Sequence, residues 1–201
     1  LWSRGLGDVY KRQTQEIQSL ATMRAPNRTD MQSLDAKAWE FFRQIVTEDK
    51  APRRDGVLAC ILGHRLDGTL TEYQAISLLR LLWVGSTATS NVLLPSAMML
   101  LIQHQDIQSQ LRDQPGLVPA FVSEALRLES PITVVTRRVT ADTEFFDVQL
   151  RQNDIMNVCL LAANCDPAAF PAPDAIDLGR PAGRQIAFGA GIHHCLGGTI
   201  A

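Results

Sequence analysis

The sequence has little cysteine, little aromatic character and almost no net charge. Four cysteines in 201 residues are too few for a disulfide-stabilised miniprotein, and they favour reduced thiols in the cytoplasm. Lys and Arg number 19 and Asp and Glu 21, a net charge of −2. This balance argues against a general binder of nucleic acid or anionic membranes, because such proteins need clustered positive charge. The remaining composition, 46% hydrophobic and 20% charged, is typical of a globular domain.

The two ends of the sequence do not follow its regular patterns. Residues 1–13 lack a sustained period and the apolar core of a signal peptide, and they resemble translated sequencing-adapter read-through. We therefore expect a non-native leader at 1–13 and one domain over 14–201. The stretch 196–201 has the composition of a helix start that is cut off, so we expect the domain to be truncated at both ends.

Apolar residues at helical spacing predict a mainly helical first part. The predicted helices cover 30–48, 57–66, 105–112 and 117–128. Short β-like runs follow at 132–136, 144–148 and 155–158, and 166–184 is a loop with four prolines. The fold class we expect is therefore mainly α with small β-sheets.

The longest apolar tract, 75–102, contains a single charged residue, Arg80. Its length meets the crude criterion for a membrane span. Small and hydroxylated residues occupy its centre at 85–91, and no positive cluster brackets it. A long central helix that bends beside a ligand is therefore favoured over a span, and Thr71 is a good N-cap for it.

The most informative segment is rich in glycine and surrounds one cysteine. It reads Phe188-Gly189-Ala190-Gly191-Ile192-His193-His194-Cys195-Leu196-Gly197-Gly198. Spaced glycines let a backbone pass close to a flat ligand, where a side chain would collide. Cys195 precedes a predicted helix start, whose free N–H groups favour the thiolate, the form that binds metal. A soft thiolate on iron is the natural interpretation.

This segment resembles the heme-binding loop of the cytochrome P450 family, F-G-x-G-x-H-x-C-x-G, at every fixed position. Residues 124–127 are similar to the family motif E-x-x-R, and 163–167 resembles A-N-R-D-P with Cys165 in place of the arginine. The resemblance covers about residues 30–201 and corresponds to the C-terminal half of a full-length member. The expected fold is therefore P450-like but incomplete.

The resemblance implies heme b (iron protoporphyrin IX) as cofactor, with Cys195 as the axial thiolate on its iron. His193 and Arg137 match positions that contact heme propionates, with Arg138 as the alternative if the strand register differs by one. Phe188 would shield the thiolate from water. The cofactor-binding set is completed by Gly189, Gly191 and Gly197. Glu124, Arg127 and Arg180 would form the buried structural triad of the family.

The resemblance also places 85–89 on the helix that crosses the distal heme face, where the family shows [AG]-G-x-[DE]-T. Counting back from Glu124 without gaps aligns Thr89 with the threonine and Ala88 with the acid. Matching Gly85 to the glycine instead aligns Thr87 with the acid and Ala88 with the threonine. The carboxylic acid is absent in both registers, so Thr87 and Thr89, with water, are the candidates for proton delivery.

The implied activity is monooxygenation of a small hydrophobic organic substrate by O2, with electrons from a ferredoxin- or flavodoxin-type donor and no nucleic-acid or membrane partner. A chain that corresponds to half of a member is expected to bind heme poorly and to be inactive alone. Two alternatives stay open. One is a zinc site of His193 or His194 with Cys195, Cys159 and Cys165, and the other is a non-enzymatic helical interaction domain.

Sulfur-containing side chains outside the glycine-rich segment have a plainer interpretation. Cys60, Cys159 and Cys165 are predicted to be buried and to act as small hydrophobic side chains. Met98 and Met99, on the long helix, are predicted to pack in a core.

Overall fold

The computed structural model describes residues 28–48, 56–181 and 184–199, and the expected leader at 1–13 lies outside them. The helices are α1 (Arg28–Glu48), α2 (Val57–Leu66), α3 (Glu72–Gln103), α4 (Gln105–Asp113), α5 (Val118–Leu128) and α6 (Leu160–Asn164). The strands are β1 (Val134–Arg138), β2 (Thr143–Phe145), β3 (Val148–Leu150) and β4 (Ile155–Cys159). Short 3₁₀ helices cover Pro115–Leu117, Gly191–His193 and Leu196–Thr199. The mainly helical class with small sheets is confirmed.

The long apolar tract forms a single helix of 32 residues, α3, which continues through Pro95. Thr71 caps its start, as predicted. The Thr71 hydroxyl accepts a hydrogen bond from the Gln74 N–H at 3.2 Å, and the Gln74 side chain accepts one from the Thr71 N–H at 2.9 Å. This reciprocal pair satisfies two donors at the helix start that have no partner within the helix.

The chain divides after Ala88 into two compact units. In the first unit, α1, α2 and α3 bury one apolar cluster, which consists of Phe42, Val46, Ile61, Leu62, Ala75 and Ile76. Each large side chain buried in this way contributes about 1.5–3 kcal/mol of transfer free energy. An ion pair between Asp35 on α1 and Arg80 on α3 joins two of the three helices.

In the second unit, Leu100, Ile107, Phe121 and Ala125 bring α3, α4 and α5 together in a second cluster. β1 and β4 pair antiparallel, with Val134 opposite Cys159 and Arg138 opposite Ile155. β1 begins two residues later than the run predicted at 132–136.

The predicted run at 144–148 is wrong as a single strand. The chain forms a hairpin there, in which Phe145 of β2 pairs with Val148 of β3 across a two-residue turn. The turn residues Phe146 and Asp147 have φ values of 48° and 61°, in the left-handed region. Two consecutive left-handed residues reverse the chain with the twist that a hairpin needs. The two phenylalanines favour a strand by propensity and so conceal the turn.

Much of the apolar surface of α3 faces outward. Within the described ranges it is the one helix long and apolar enough to cross a membrane by length and composition. Leu93, Ala97 and Leu101 pack against the second cluster, whereas Met98 and Met99 lie on other faces of the helix and are 56% and 53% exposed. The prediction that these methionines pack in a core is therefore wrong.

The cysteine burial predictions are also wrong. Cys60 and Cys159 are exposed and Cys165 is partly buried, and all four cysteines are free thiols. On α2 the buried positions are Ile61 and Leu62, which leaves Cys60 on the outer side of the helix. Whether such a small side chain is buried depends on whether it lies on the side of its element that faces the core. Its residue type matters less.

Candidate functional site

The glycine-rich loop folds back on itself so that Cys195 returns to Phe188. The Cys195 N–H donates to the Phe188 carbonyl at 2.8 Å, and the Gly189 N–H donates to the Ile186 carbonyl at 2.9 Å. Gly189 and Gly191 have φ values of 71° and 69°. L-residues rarely adopt this conformation, so both glycines are needed for the backbone path itself.

Cys195 is exposed, and two apolar residues of the same loop are exposed as well. Ile192 is 96% exposed and Leu196 is 78% exposed. The segment expected to begin a helix at residue 196 forms a 3₁₀ helix over Leu196–Thr199. A Cβ added at Gly197 would lie 3.8 Å from Cys195 Sγ, an ordinary contact, so the chain itself gives no steric reason for a glycine there.

Phe188 packs against the chain beyond the cysteine. A Cβ at Gly198 would lie 3.5 Å from Phe188 Cγ and 3.4 Å from His194 Cε1, in van der Waals contact with both rings. The rings of Phe188 and His194 have centroids 6.4 Å apart. His193 is exposed. His194 is exposed as well, but its ring lies near that of Phe188, whereas His193 ends the 3₁₀ helix Gly191–His193.

Glu124, Arg127 and Arg180 form a buried network, as the family resemblance implied. Arg127 Nε and Nη2 donate to the two carboxylate oxygens of Glu124 at 2.8 and 2.9 Å, and Arg180 Nε lies 3.2 Å from Glu124 Oε1. The other Arg127 donors bind the carbonyls of Asn164, Pro173 and Ala175 at 3.1, 2.6 and 2.9 Å. All five guanidinium N–H groups therefore have an acceptor, which a fully buried charge requires.

The pKa of the Glu124 carboxyl lies below its ordinary value. Burial alone would raise this pKa. Hydrogen bonds from Arg127 and from the Asp177 N–H, together with the positive charges of Arg127 and Arg180, outweigh burial. Glu124 is therefore ionised at neutral pH and holds both arginines in place.

The remaining predicted site residues lie on other elements. Arg137 is on β1, exposed, and its guanidinium donates to the Thr136 carbonyl at 3.0 Å. Thr87 and Thr89 are on α3 and both are partly buried. The Thr87 hydroxyl donates to the Trp83 carbonyl at 2.7 Å, the usual backbone bond of a helical threonine.

The structure also shows a buried polar residue whose importance the sequence did not reveal. Asn164 is 0% exposed and its side chain bonds to Ser130 and to the Ile186 N–H. Its only sequence signal is its place in 163–167, the stretch that resembles A-N-R-D-P.

The donor set fits a metal that takes one protein ligand from this loop. In the part of the chain that the structure describes, no three His, Cys, Asp or Glu side chains come together to hold a metal ion, so the zinc alternative is not favoured. An exposed cysteine in a loop that also carries exposed apolar residues and two left-handed glycines fits the iron and the flat face of a porphyrin. The geometry of the loop is thus compatible with a cysteine ligand to heme iron.

Comparisons with known proteins agree with this geometry. A family model for cytochrome P450 matches residues 116–201. The biotin biosynthesis cytochrome P450 of Bacillus subtilis (strain 168) is 31% identical over 173 residues, which are 86% of this chain and 44% of that protein. The solved structure of the ligand-free P450 monooxygenase TamI superposes with a TM-score of 0.82 at 30% identity, over 94% of this chain and 46% of that one. The structure of P450BioI in complex with hexadec-9Z-enoic acid ligated acyl carrier protein superposes with a TM-score of 0.82 at 29% identity. The match covers 94% of this chain and 51% of that one.

The chain belongs to the cytochrome P450 family. Members of this family use heme b as their cofactor. The chain spans about half the length of the relatives it matches. The loop, the buried Glu–Arg network and the mainly helical fold are therefore those of a partial P450 domain.

Proposed function

We propose that this protein is a cytoplasmic heme monooxygenase that inserts one atom of O2 into a small hydrophobic organic substrate. The observation that carries the proposal is the exposed Cys195 thiol in a loop closed by its own N–H on the Phe188 carbonyl. The family relationship supports the same activity. Electrons would come from a ferredoxin- or flavodoxin-type donor, as the resemblance to bacterial members implies.

The residues of the loop would hold the cofactor in distinct ways. Cys195 would ligate the iron, and His193, with Arg137, would pair with the propionates, because a cation and a carboxylate form strong hydrogen bonds. Phe188 would exclude water from the sulfur side. The absence of side chains at Gly189, Gly191 and Gly197 would let the ring approach the backbone.

When bound, the heme would supply O2 activation and transfer of one oxygen atom to the substrate. The chain would supply the thiolate ligand and a path for protons. The Thr87 hydroxyl donates a hydrogen bond to the Trp83 carbonyl, and its oxygen lone pairs can still accept a hydrogen bond from a water. Thr87 and Thr89 would act as such water-binding hydroxyls, since Ala88 lies between them and the carboxylic acid of the family motif is absent.

For the substrate we propose a chemical class, a small hydrophobic organic molecule. The acyl carrier protein complex concerns P450BioI, at 29% identity, and supports an organic substrate in general terms for this protein. Ile192 and Leu196, the exposed apolar residues of the cysteine loop, favour a hydrophobic cofactor environment.

The test is spectroscopic and uses the protein expressed from the reading frame that encodes this chain. The reduced, carbon-monoxide-treated protein should show the red-shifted Soret band of thiolate-ligated heme. Cys195→Ala should abolish this band, whereas Cys159→Ala, at another exposed thiol, should leave it unchanged. Retention of heme with an unchanged spectrum in Cys195→Ala would overturn the ligand assignment.

A further inference from the structure

Asn164, at the end of α6, is a fully buried residue whose side-chain oxygen and nitrogen both take part in hydrogen bonds. Its side-chain oxygen accepts the Ile186 N–H at 2.8 Å, and its side-chain nitrogen donates to Ser130 Oγ at 3.2 Å. Its backbone carbonyl accepts a hydrogen bond from Arg127 at 3.1 Å. A buried amide bonded in this way has one orientation, because the Ile186 N–H can only donate and must face the oxygen.

The partners on one side of Asn164 are buried and have hydrogen bonds of their own. Ser130, just beyond α5, donates its hydroxyl to the Leu126 carbonyl at 2.7 Å. Arg127 is 0% exposed and is held by the Glu124 carboxylate. Asn164 is therefore fixed to the buried network on α5, and its side-chain oxygen is a fixed point against which another segment can be placed.

The partner on the other side leads directly to the cysteine loop. The Ile186 carbonyl accepts the Gly189 N–H at 2.9 Å, and the Phe188 carbonyl accepts the Cys195 N–H at 2.8 Å. Three hydrogen bonds thus connect the Asn164 amide to the backbone of Cys195. Without the hydrogen bond from the Ile186 N–H to Asn164, the turn at 186–189 would lose this attachment to α6 and the buried network.

We propose that Asn164 is a positioning residue that sets where the Cys195 loop presents its thiol. It acts through the Ile186 N–H, and its hydrogen bonds go to Arg127, Ser130 and Ile186 rather than to the thiol. The importance of that position rests on the proposed function, in which Cys195 binds iron, but the attachment itself is independent of heme. If Asn164 only stabilised the fold, its replacement would instead raise amide exchange evenly across the second unit.

Two pairs of variants separate these roles. Asn164→Leu removes the acceptor at similar size, while Asn164→Asp keeps an oxygen for the Ile186 N–H. Ile186→Pro removes the donor and leaves Asn164 intact, while Ile186→Val keeps the donor. The second pair decides the matter if Asn164→Leu does not fold.

The measurement is amide hydrogen exchange by NMR on the protein as purified, without added heme. In Asn164→Leu and Ile186→Pro the Cys195 amide should exchange about tenfold faster or more, while amides in the last turn of α4 are unchanged. Asn164→Asp and Ile186→Val should stay within about threefold of the parent. Unchanged Cys195 exchange in the first variants, or an equal rise in α4, would overturn the proposal. If Cys195 did not bind heme, the amide exchange rates would still be as predicted here. The role of Asn164 and the proposed heme ligation are therefore tested independently.

Discussion

Arg127 and Glu124 face each other through two parallel hydrogen bonds of 2.8 and 2.9 Å, and both side chains are buried. Arg180 approaches the same carboxylate at 3.2 Å. One buried negative charge therefore balances two buried or nearly buried positive charges. Removing it leaves both guanidinium groups without a counter-ion, which costs more than the pair contributes when intact.

Glu124→Gln should lower the free energy of unfolding by about 3 kcal/mol or more, because it breaks a buried ion pair from one side. Glu129→Gln is the matched control, since Glu129 follows the same helix and is exposed. It should change stability by less than about 0.5 kcal/mol. Urea unfolding monitored by circular dichroism measures both, and equal effects of the two changes would contradict the network's role.

The lowered pKa of Glu124 also predicts a pH dependence of stability. The ordinary pKa is 4.5, and the folded value lies below it. The contribution is therefore fully present above about pH 4.5 and is lost as pH falls through the folded pKa. The stability difference between the parent and Glu124→Gln should thus shrink between about pH 7 and pH 3. A difference independent of pH would show that ionisation of Glu124 does not stabilise the fold.

Phe146→Asn should stabilise the β2–β3 hairpin. Phe146 has a φ of 48°, which asparagine tolerates far better than a bulky residue. The change also loses the contact between the Phe145 and Phe146 rings, at 4.7 Å, so the net gain should be roughly 0.5–1 kcal/mol. Thermal unfolding measures it. Phe145→Asn loses the same ring contact at a strand position and should destabilise; a loss of stability in both variants would contradict the turn assignment.

The helices could be predicted from sequence because apolar spacing and caps are local signals. The hairpin could not, because Phe146 and Asp147 lack the glycine that usually marks such a turn. The exposure of Met98 and Met99 could not be predicted from the sequence. Because α3 is apolar on every face, its sequence does not indicate which side packs.

The candidate site also contains features that could be predicted from the sequence and features that could not. The cysteine loop is contiguous and could be recognised from its glycine spacing. Asn164 could not be assigned a role, because its side-chain partners lie 22 and 34 residues away and depend on tertiary structure. The burial of Glu124 and Arg127 was implied only by the family resemblance, since an i,i+3 ion pair also suits an exposed helix.

The 201-residue chain alone should take up heme weakly and below one equivalent. It spans 44% of the length of its Bacillus subtilis relative, and the side chains on either side of Cys195 are exposed. Titration with hemin, followed by gel filtration, measures stable uptake. Stoichiometric heme that survives gel filtration would show that the residues of this chain suffice to hold the cofactor.

X-ray absorption at the iron edge shows whether the sulfur of Cys195 binds the iron. The measurement uses heme-loaded protein from the reading frame that encodes this chain. One sulfur neighbour of iron should be present in the parent and in Cys159→Ala and absent in Cys195→Ala. A sulfur neighbour that persists in Cys195→Ala, or that is missing from the parent, would show that Cys195 is not the iron ligand.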